Sequence, residues 1–151
     1  MDDFTKFVND FQKFDVNKIL FEVWKKFKVE SYIVQLNTEG LRTSQLYEQG
    51  KDSKGRNLGS YTPYTIQLKL NGDGDRRVDH ITLKDSGDFY ESFEVKANSK
   101  GFEILADGRV EGGDLKDRFG IDIIGLSEEN KNILVEFIEP FFIEEAKKLL
   151  P

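Results

Sequence analysis

Apolar residues recur at three- and four-residue steps at both ends of this chain, and that spacing limits the possible folds more than any other feature. It places the apolar side chains on one face of an α-helix. The first series predicts a helix in the opening residues, after which Asp15 either breaks it or caps a second helix that runs on to near Gly40. The series comprises Phe4, Phe7, Val8, Phe11 and Phe14, then Val16, Ile19, Leu20, Val23 and Phe27, and then Tyr32, Ile33 and Leu36.

The closing segment predicts a long helix over residues 127–150. Ser127 is a favourable N-cap, and Glu128 and Glu129 bring negative charge to the positive end of the helix dipole. Pro140 is expected to kink this helix, because proline removes a backbone hydrogen bond and clashes one turn back. The apolar face consists of Ile133, Leu134, Phe137, Ile138, Phe141 and Phe142.

The centre of the chain, residues 41–125, is predicted to be rich in β-structure. FEVKAN and GFEILAD alternate around NSKG and predict a β-hairpin, and VDHITL predicts a strand. QLYEQ and RNLGSY are expected to pair as a short hairpin, and IDIIG is a strand or a connector. In PYTIQLKL, Pro63 favours the start of a helix, whereas the alternation of Ile66, Leu68 and Leu70 favours a strand, so both alternatives stay open.

This order of elements indicates a single α+β domain over residues 1–151. N-terminal helices (3–40) and a C-terminal helix (127–150) are expected to pack on a small antiparallel β-sheet. A short helix is expected after the central strand.

The stretch HITLKDSGDFYESF contains the only histidine, His80, together with Asp85 and Asp88. A hydrolase would use His80 as a general base with one of these acids, but no nucleophile motif such as GxSxG accompanies them. The favoured interpretation is a strand with His80 exposed to solvent, followed by a short helix. Asp85 is then the N-cap and Asp88 lies in the first turn, and Phe89 and Phe93 pack the helix onto the core.

Two loops resemble ligand-binding loops without meeting the requirements of either type. NGDGDRRVDHIT spaces Asn71, Asp73 and Asp75 like the start of a calcium-binding EF-hand loop, but Arg76 and Thr82 occupy the positions that require glycine and glutamate. GKDSKGRNLGS lacks the GxxxxGK[ST] spacing of a phosphate loop. The sequence therefore predicts no catalytic residue, no cofactor and no metal site.

Charge, cysteine content and hydropathy limit the possible partners, chemistry and cellular location. The net charge is −6 and the longest basic groups are pairs, which argues against non-specific nucleic-acid binding. The absence of cysteine excludes disulfides and thiolate catalysis, and fits a reducing cytoplasm. No apolar run approaches 18 residues, and MDDFTKF does not resemble a signal peptide, so neither a membrane span nor secretion is expected.

Six large aromatic residues are prone to lie at the surface: Trp24, Tyr32, Tyr47, Tyr61, Tyr64 and Tyr90. Aromatic side chains in loops such as GSYTPYT frequently anchor protein interfaces. The alternative is that they cover the edge of the core, and the sequence leaves both interpretations open.

Three segments in order carry a family resemblance: QLYEQGKDSKGRNLGSYTPYT, HITLKDSGDFYESFEV and FGIDIIGLSEENKNILVEFI. They resemble the G(K/R)xLGxY loop, the LxDTGxxxxS turn and the GLS(D/E)E helix start of tailed-bacteriophage virion-morphogenesis proteins. These are tail-completion or head–tail joining proteins. The chain departs from the family pattern with DSG in place of DTG and with the insert NGDGDRR.

The resemblance implies a non-enzymatic structural subunit of the virion, assembled in the bacterial cytoplasm. The subunit would form a homo-oligomeric ring at the neck and contact other neck, portal or tail proteins. DNA would pass through the ring, and the acidic charge would suit such a channel. The alternatives are a small soluble binding module that acts on a host protein, and a hydrolase that uses His80 with Asp85 or Asp88.

Overall fold

The computed structural model describes residues 2–6 and 15–149, and it confirms the α+β fold class. Residues 3–6 are helical, whereas the predicted helical positions Phe7, Val8, Phe11 and Phe14 lie outside the described residues. The helices that follow are α1 (Val16–Trp24), α2 (Phe27–Asn37), α3 (Pro63–Asn71), α4 (Asp88–Glu91), α5 (Leu115–Phe119) and α6 (Glu128–Lys147). Gln45–Gln49 forms a π-helix and Ile121–Ile123 a 3₁₀-helix. The strands are β1 (Glu94–Asn98), β2 (Gly101–Leu105), β3 (Arg109–Val110) and β4 (Gly113–Asp114).

The second predicted helix is capped as expected but is divided in two. The Asp15 carboxylate accepts hydrogen bonds from the backbone N–H groups of Asn17 and Lys18, at 3.1 and 3.2 Å. The chain is extended at Lys26, between α1 and α2. This break turns the fully buried side chains of α2 toward the core and leaves Phe27 81% exposed, so its predicted place on the apolar face is wrong.

The closing helix confirms its predicted start. The Ser127 hydroxyl accepts a hydrogen bond from the N–H of Asn130 at 3.2 Å. Pro140 lies inside α6, which continues to Lys147, and the kink at this residue stays a prediction. Across residues 2–6 and 15–149, none of the helices has both the length and the apolar character that crossing a bilayer requires.

The predicted hairpin is confirmed, and it helps to form the core. β1 and β2 pair antiparallel from Glu94↔Leu105 to Asn98↔Gly101. They pack on α1 and α2, while α6 covers the same two helices. One core cluster contains Val23, Trp24, Val29, Ile33, Leu36, Leu126, Leu134 and Ile138. A second contains Leu46, Leu83, Phe89, Tyr90, Phe93, Leu115 and Ile123, and Ile104 contacts both.

The centre has less β-structure than the sequence pattern predicted. VDHITL is not a strand: residues 78–83 are irregular and have no strand partner. QLYEQ is a π-helix rather than half of a hairpin, although Lys51 and Asn57 beside it form an isolated antiparallel bridge. PYTIQLKL is helical, with the Thr62 hydroxyl accepting from the N–H of Thr65, which decides that alternative. IDIIG supplies the 3₁₀-helix.

The predicted capping role of Asp85 is also wrong. Gly87, with a φ of 98°, precedes the single turn α4, and the Ser86 hydroxyl accepts from the N–H of Asp88 at 3.2 Å. Because a left-handed residue fixes the helix start at position 87, Asp85 lies too early to cap it. The packing role of the aromatic pair is confirmed, since the Phe89 and Phe93 rings meet edge-on with centroids 5.0 Å apart.

Three buried amide side chains join α2, the π-helix, residues 123–127 and α6, and we call them the amide clamp: Asn37, Gln45 and Asn130. Asn37 donates to the carbonyl of Ile123 and accepts from the N–H of Gly125. Gln45 donates to the carbonyl of Gly125 and accepts from the N–H of Ser127. These bonds satisfy backbone groups that would otherwise be buried without partners.

Candidate functional site

The His80 side chain is part of an internal hydrogen-bond network. Its Nε2 lies 2.7 Å from the carbonyl oxygen of Tyr47, and its Nδ1 lies 3.3 Å from the Asp79 carboxylate. A carbonyl only accepts, so the Nε2 proton is donated to Tyr47. The side chain is 21% exposed, which corrects the expectation of a solvent-facing residue. Neither Asp85 nor Asp88 is bonded to the imidazole.

Gly50 brings the backbone against the His80 ring. A Cβ built at Gly50 would lie 2.6 Å from the imidazole Cδ2, and the residue has a φ of 61°. Only glycine combines that backbone conformation with so close an approach. The position of His80 is therefore fixed by a hydrogen bond to a carbonyl and by close contact with a glycine.

Tyr47 lies at the centre of a set of charged groups. Its hydroxyl donates to Asp75 at 2.9 Å, and its ring faces the guanidinium of Arg77 and the ammonium of Lys84, at 5.1 and 5.3 Å from the ring centroid. Burial, followed by the bond to Asp75, raises the pKa of the Tyr47 hydroxyl. At neutral pH this hydroxyl therefore stays protonated and acts as a donor.

The Asp79 carboxylate is held ionised beside His80. The Arg77 guanidinium donates to it at 2.8 Å and lowers its pKa to about 2. Arg77 also donates to Glu48 at 3.1 Å. The side chains of Asp75, Arg77 and His80 are bonded to residues of the π-helix. These bonds hold residues 75–80 against that helix.

Two further tyrosines fix the residues that follow. Thr82 donates its N–H to the Tyr61 hydroxyl at 3.1 Å, and its carbonyl accepts from the buried Tyr90 hydroxyl. Burial raises the pKa of Tyr90 strongly. Leu83, next in the chain, has a φ of 61° and is the one non-glycine residue with positive φ in the part of the chain that the structure describes. Its strain is maintained by these bonds and by burial of its side chain.

The loop that resembled a phosphate loop is closed around its own acid. Asp52 is buried and accepts from the N–H groups of Lys54 and Arg56 at 2.9 and 3.0 Å, and from the Arg56 Nε at 2.9 Å. Arg56 then reaches Asp122 at 2.7 Å. Because these donors already bind a carboxylate, they are not directed at a phosphate.

The acids of the calcium-like loop do not converge on a common point. Asn71 is the last residue of α3, and Asp75 accepts from the Tyr47 hydroxyl with one oxygen and from the N–H of Arg77 with the other. Among residues 2–6 and 15–149, no group of three or more potential metal-ligating side chains is assembled.

Of the six aromatic residues expected at the surface, five pack or bond within the protein and one is exposed as an interface residue would be. Trp24 packs edge-on against Phe102, and Tyr32 stacks on Phe137. Tyr47, Tyr61 and Tyr90 use their hydroxyls internally, as described above. Tyr64 is different, since it is 73% exposed at the start of α3.

Helix α3 has a reversed polarity that the sequence did not reveal. Its one buried side chain is Lys69, 8% exposed, whose ammonium donates to the carbonyl of Lys84 at 2.8 Å and lies 5.0 Å from the Tyr61 ring centroid. The outer side carries Tyr64 and, one turn later, Leu68, which is 56% exposed. A surface helix normally buries its apolar side chains and exposes its lysines. The outer side of α3 is therefore an exposed apolar surface of the kind that partners cover.

Comparisons with protein-family models, with curated proteins and with solved structures found no match to this chain.

Proposed function

We propose that this protein is a structural subunit of a tailed-phage virion, a tail-completion or neck protein that forms a ring between the capsid connector and the tail. The observation that carries the proposal is the outer side of α3, where Tyr64 and Leu68 are exposed while Lys69 is buried. A subunit that functions by assembly has such a surface because neighbouring subunits cover it.

The contacts among the three family-like segments add support. Tyr47 of the first segment holds His80 of the second, and the backbone N–H of Ser53 in the first donates to the carbonyl of Asp122 in the third at 2.8 Å. Gln45 bonds Gly125 and Ser127 of the third segment. The polar residues of the motifs therefore bond one another, as expected of motifs that specify a fold.

Virion composition and morphology test this proposal. Particles made by a phage that encodes this chain are expected to contain it, as measured by mass spectrometry of purified virions. Deletion of its gene is expected to leave filled heads and separate tails in electron micrographs. Intact, infectious particles that lack the chain would refute the proposal.

A substitution at His80 separates this proposal from the hydrolase alternative. His80→Ala is expected to leave particle assembly largely intact, provided the variant still folds by circular dichroism. His80→Gln is the matched control, since its amide N–H can still donate to the Tyr47 carbonyl. If assembly fails with both folded variants, His80 has a role beyond holding the fold, and the structural interpretation of His80 is wrong.

A further inference from the structure

We propose that the outer side of α3 docks onto the outer side of α6 in a second copy of this chain, and that this contact repeats around the ring. The inference rests on the proposed function, because it supplies the subunit contact that a ring requires. It names the two surfaces and therefore can fail separately from the virion role.

The α3 surface consists of Tyr64 and Leu68, one turn apart, with Leu70 on its flank at 49% exposure. The buried lysine on the opposite side ties the helix to the carbonyl of Lys84. Helix α3 contains no acidic residue. It is therefore a fixed apolar ridge without negative charge.

The α6 surface is a stripe in which two exposed apolar residues flank one acidic residue. Val135, Glu139 and Ile143 follow at four-residue steps and span about 12 Å along the helix axis. Val135 is 63% exposed and Ile143 44% exposed. The opposite side of α6 packs on α1 and α2, so this stripe faces away from the core.

The charges around the two surfaces are complementary. Helix α6 holds six acidic and two basic side chains, whereas α3 holds no acid and one lysine, the buried Lys69. Just beyond α3, the exposed guanidinium of Arg76 donates to the carbonyl of Gly72 at 3.2–3.3 Å and pairs with no carboxylate among the described residues. The ion pairs of α6 with described residues use Glu128 and Glu145. Glu139 is thus placed to meet a cation such as Arg76.

Two different surfaces on one chain produce a head-to-tail contact. Such a contact builds a closed ring when its rotation closes, whereas a self-complementary contact stops at a dimer. Pairing α3 with α6 is a contact of this head-to-tail type, and the acidic α6 of a second copy supplies the charge complementary to Arg76.

Disulfide cross-linking tests the contact directly, because the chain has no native cysteine. A variant with Leu68→Cys and Val135→Cys is expected to form a ladder of multimers under mild oxidation, reversed by reductant. The matched control carries Leu68→Cys with Lys100→Cys, which lies in the exposed turn of the β1–β2 hairpin. It is expected to show at least ten-fold less cross-linking at equal protein concentration.

A charge exchange gives a second, independent readout. Arg76→Glu and Glu139→Lys are each expected to weaken self-association by about ten-fold in sedimentation velocity, and the double variant is expected to recover most of it. Both positions are exposed, so each single variant should fold normally by circular dichroism.

The outcomes separate this contact from the virion role. Oligomers without specific Leu68→Cys and Val135→Cys cross-links would refute the α3–α6 contact and leave the virion role standing. Specific cross-links in a protein absent from virions would support the contact and refute the role. If Leu68→Asp abolishes binding of another virion protein but leaves the oligomer intact, that protein is the partner of α3 and the inference is wrong.

Discussion

Removal of the Asn130 amide should destabilise the protein more than any other single truncation on α6 outside its apolar face. The Asn130 Nδ2 donates to the carbonyls of Leu36 and Thr43 and to the Gln45 side-chain oxygen, at 3.1, 2.9 and 3.0 Å. The side chain is fully buried and lies 94 residues from Leu36 in sequence. The two N–H protons of Nδ2 are shared among these three acceptors, so one proton is bifurcated, and Asn130→Ala removes all of these contacts at once.

The magnitude follows from what each acceptor retains. The Leu36 carbonyl lies in the last turn of α2, where the helix offers no further N–H, so it is left buried without a donor at a cost of about 1–3 kcal/mol. Thr43 keeps a bond from Gln49 and Gln45 keeps one from Ser127, so those losses are about 0.5–1.5 kcal/mol each. The Asn130 Oδ1 is buried without a partner among the described residues. Its removal eliminates an unsatisfied acceptor and so offsets part of the lost stability. The expected net loss is about 3 kcal/mol.

Urea unfolding measures this loss, with the fluorescence of the single, buried tryptophan, Trp24, and far-UV circular dichroism as probes. Asn132→Ala is the matched control, since it makes the same substitution at an exposed position of α6 and should change stability by less than about 0.5 kcal/mol. Asn130→Asp preserves the volume but directs a carboxyl group at three acceptor oxygens, and it should be destabilising as well. Equal stability of the Asn130→Ala and Asn132→Ala variants would refute the amide clamp.

Two further predictions concern residues 50–80. Gly50→Ala should lose about 2 kcal/mol or more of stability, because its Cβ meets His80. Gly55 has a φ of 77° but open space around it, so Gly55→Ala should lose only the stability that the unfavourable backbone conformation costs. Equal losses in the two variants would show that contact with His80 does not matter at Gly50. Asp79 should titrate near pH 2 by NMR, and Arg77→Gln should raise that pKa toward 3.8. Because the folded pKa is depressed, the Arg77–Asp79 contribution is present above about pH 3.8 and is lost as pH falls toward 2, and an unchanged pKa in the variant would contradict the pairing.

The elements that sequence spacing predicted are those specified by neighbouring residues. Ser127 and the apolar period define α6, and the alternation around NSKG defines the β1–β2 hairpin. Asp15 capped its helix for the same reason. Each of these depends on contacts within about four residues, or on a two-residue turn, and so can be read directly from the sequence.

The elements that sequence spacing missed depend on distant partners. VDHITL alternates like a strand, but Thr82 is bonded by hydroxyls of Tyr61 and Tyr90 instead of a neighbouring strand. The prediction that His80 is exposed is wrong because no sequence pattern indicates that its partner is the carbonyl of Tyr47. The burial of asparagine and glutamine at the amide clamp was not predicted either, since these residue types are usually exposed.

The reversed polarity of α3 connects these findings to assembly. Lys69 bonds the carbonyl of Lys84, two residues after Thr82, which Tyr61 and Tyr90 hold in place. The helix is thus positioned by polar contacts to a rigid segment, rather than by burial of its own apolar side chains. That arrangement keeps Tyr64 and Leu68 on the outside without loss of order in the helix. An apolar surface that is already ordered loses less conformational entropy on docking, which would favour the α3–α6 contact proposed above.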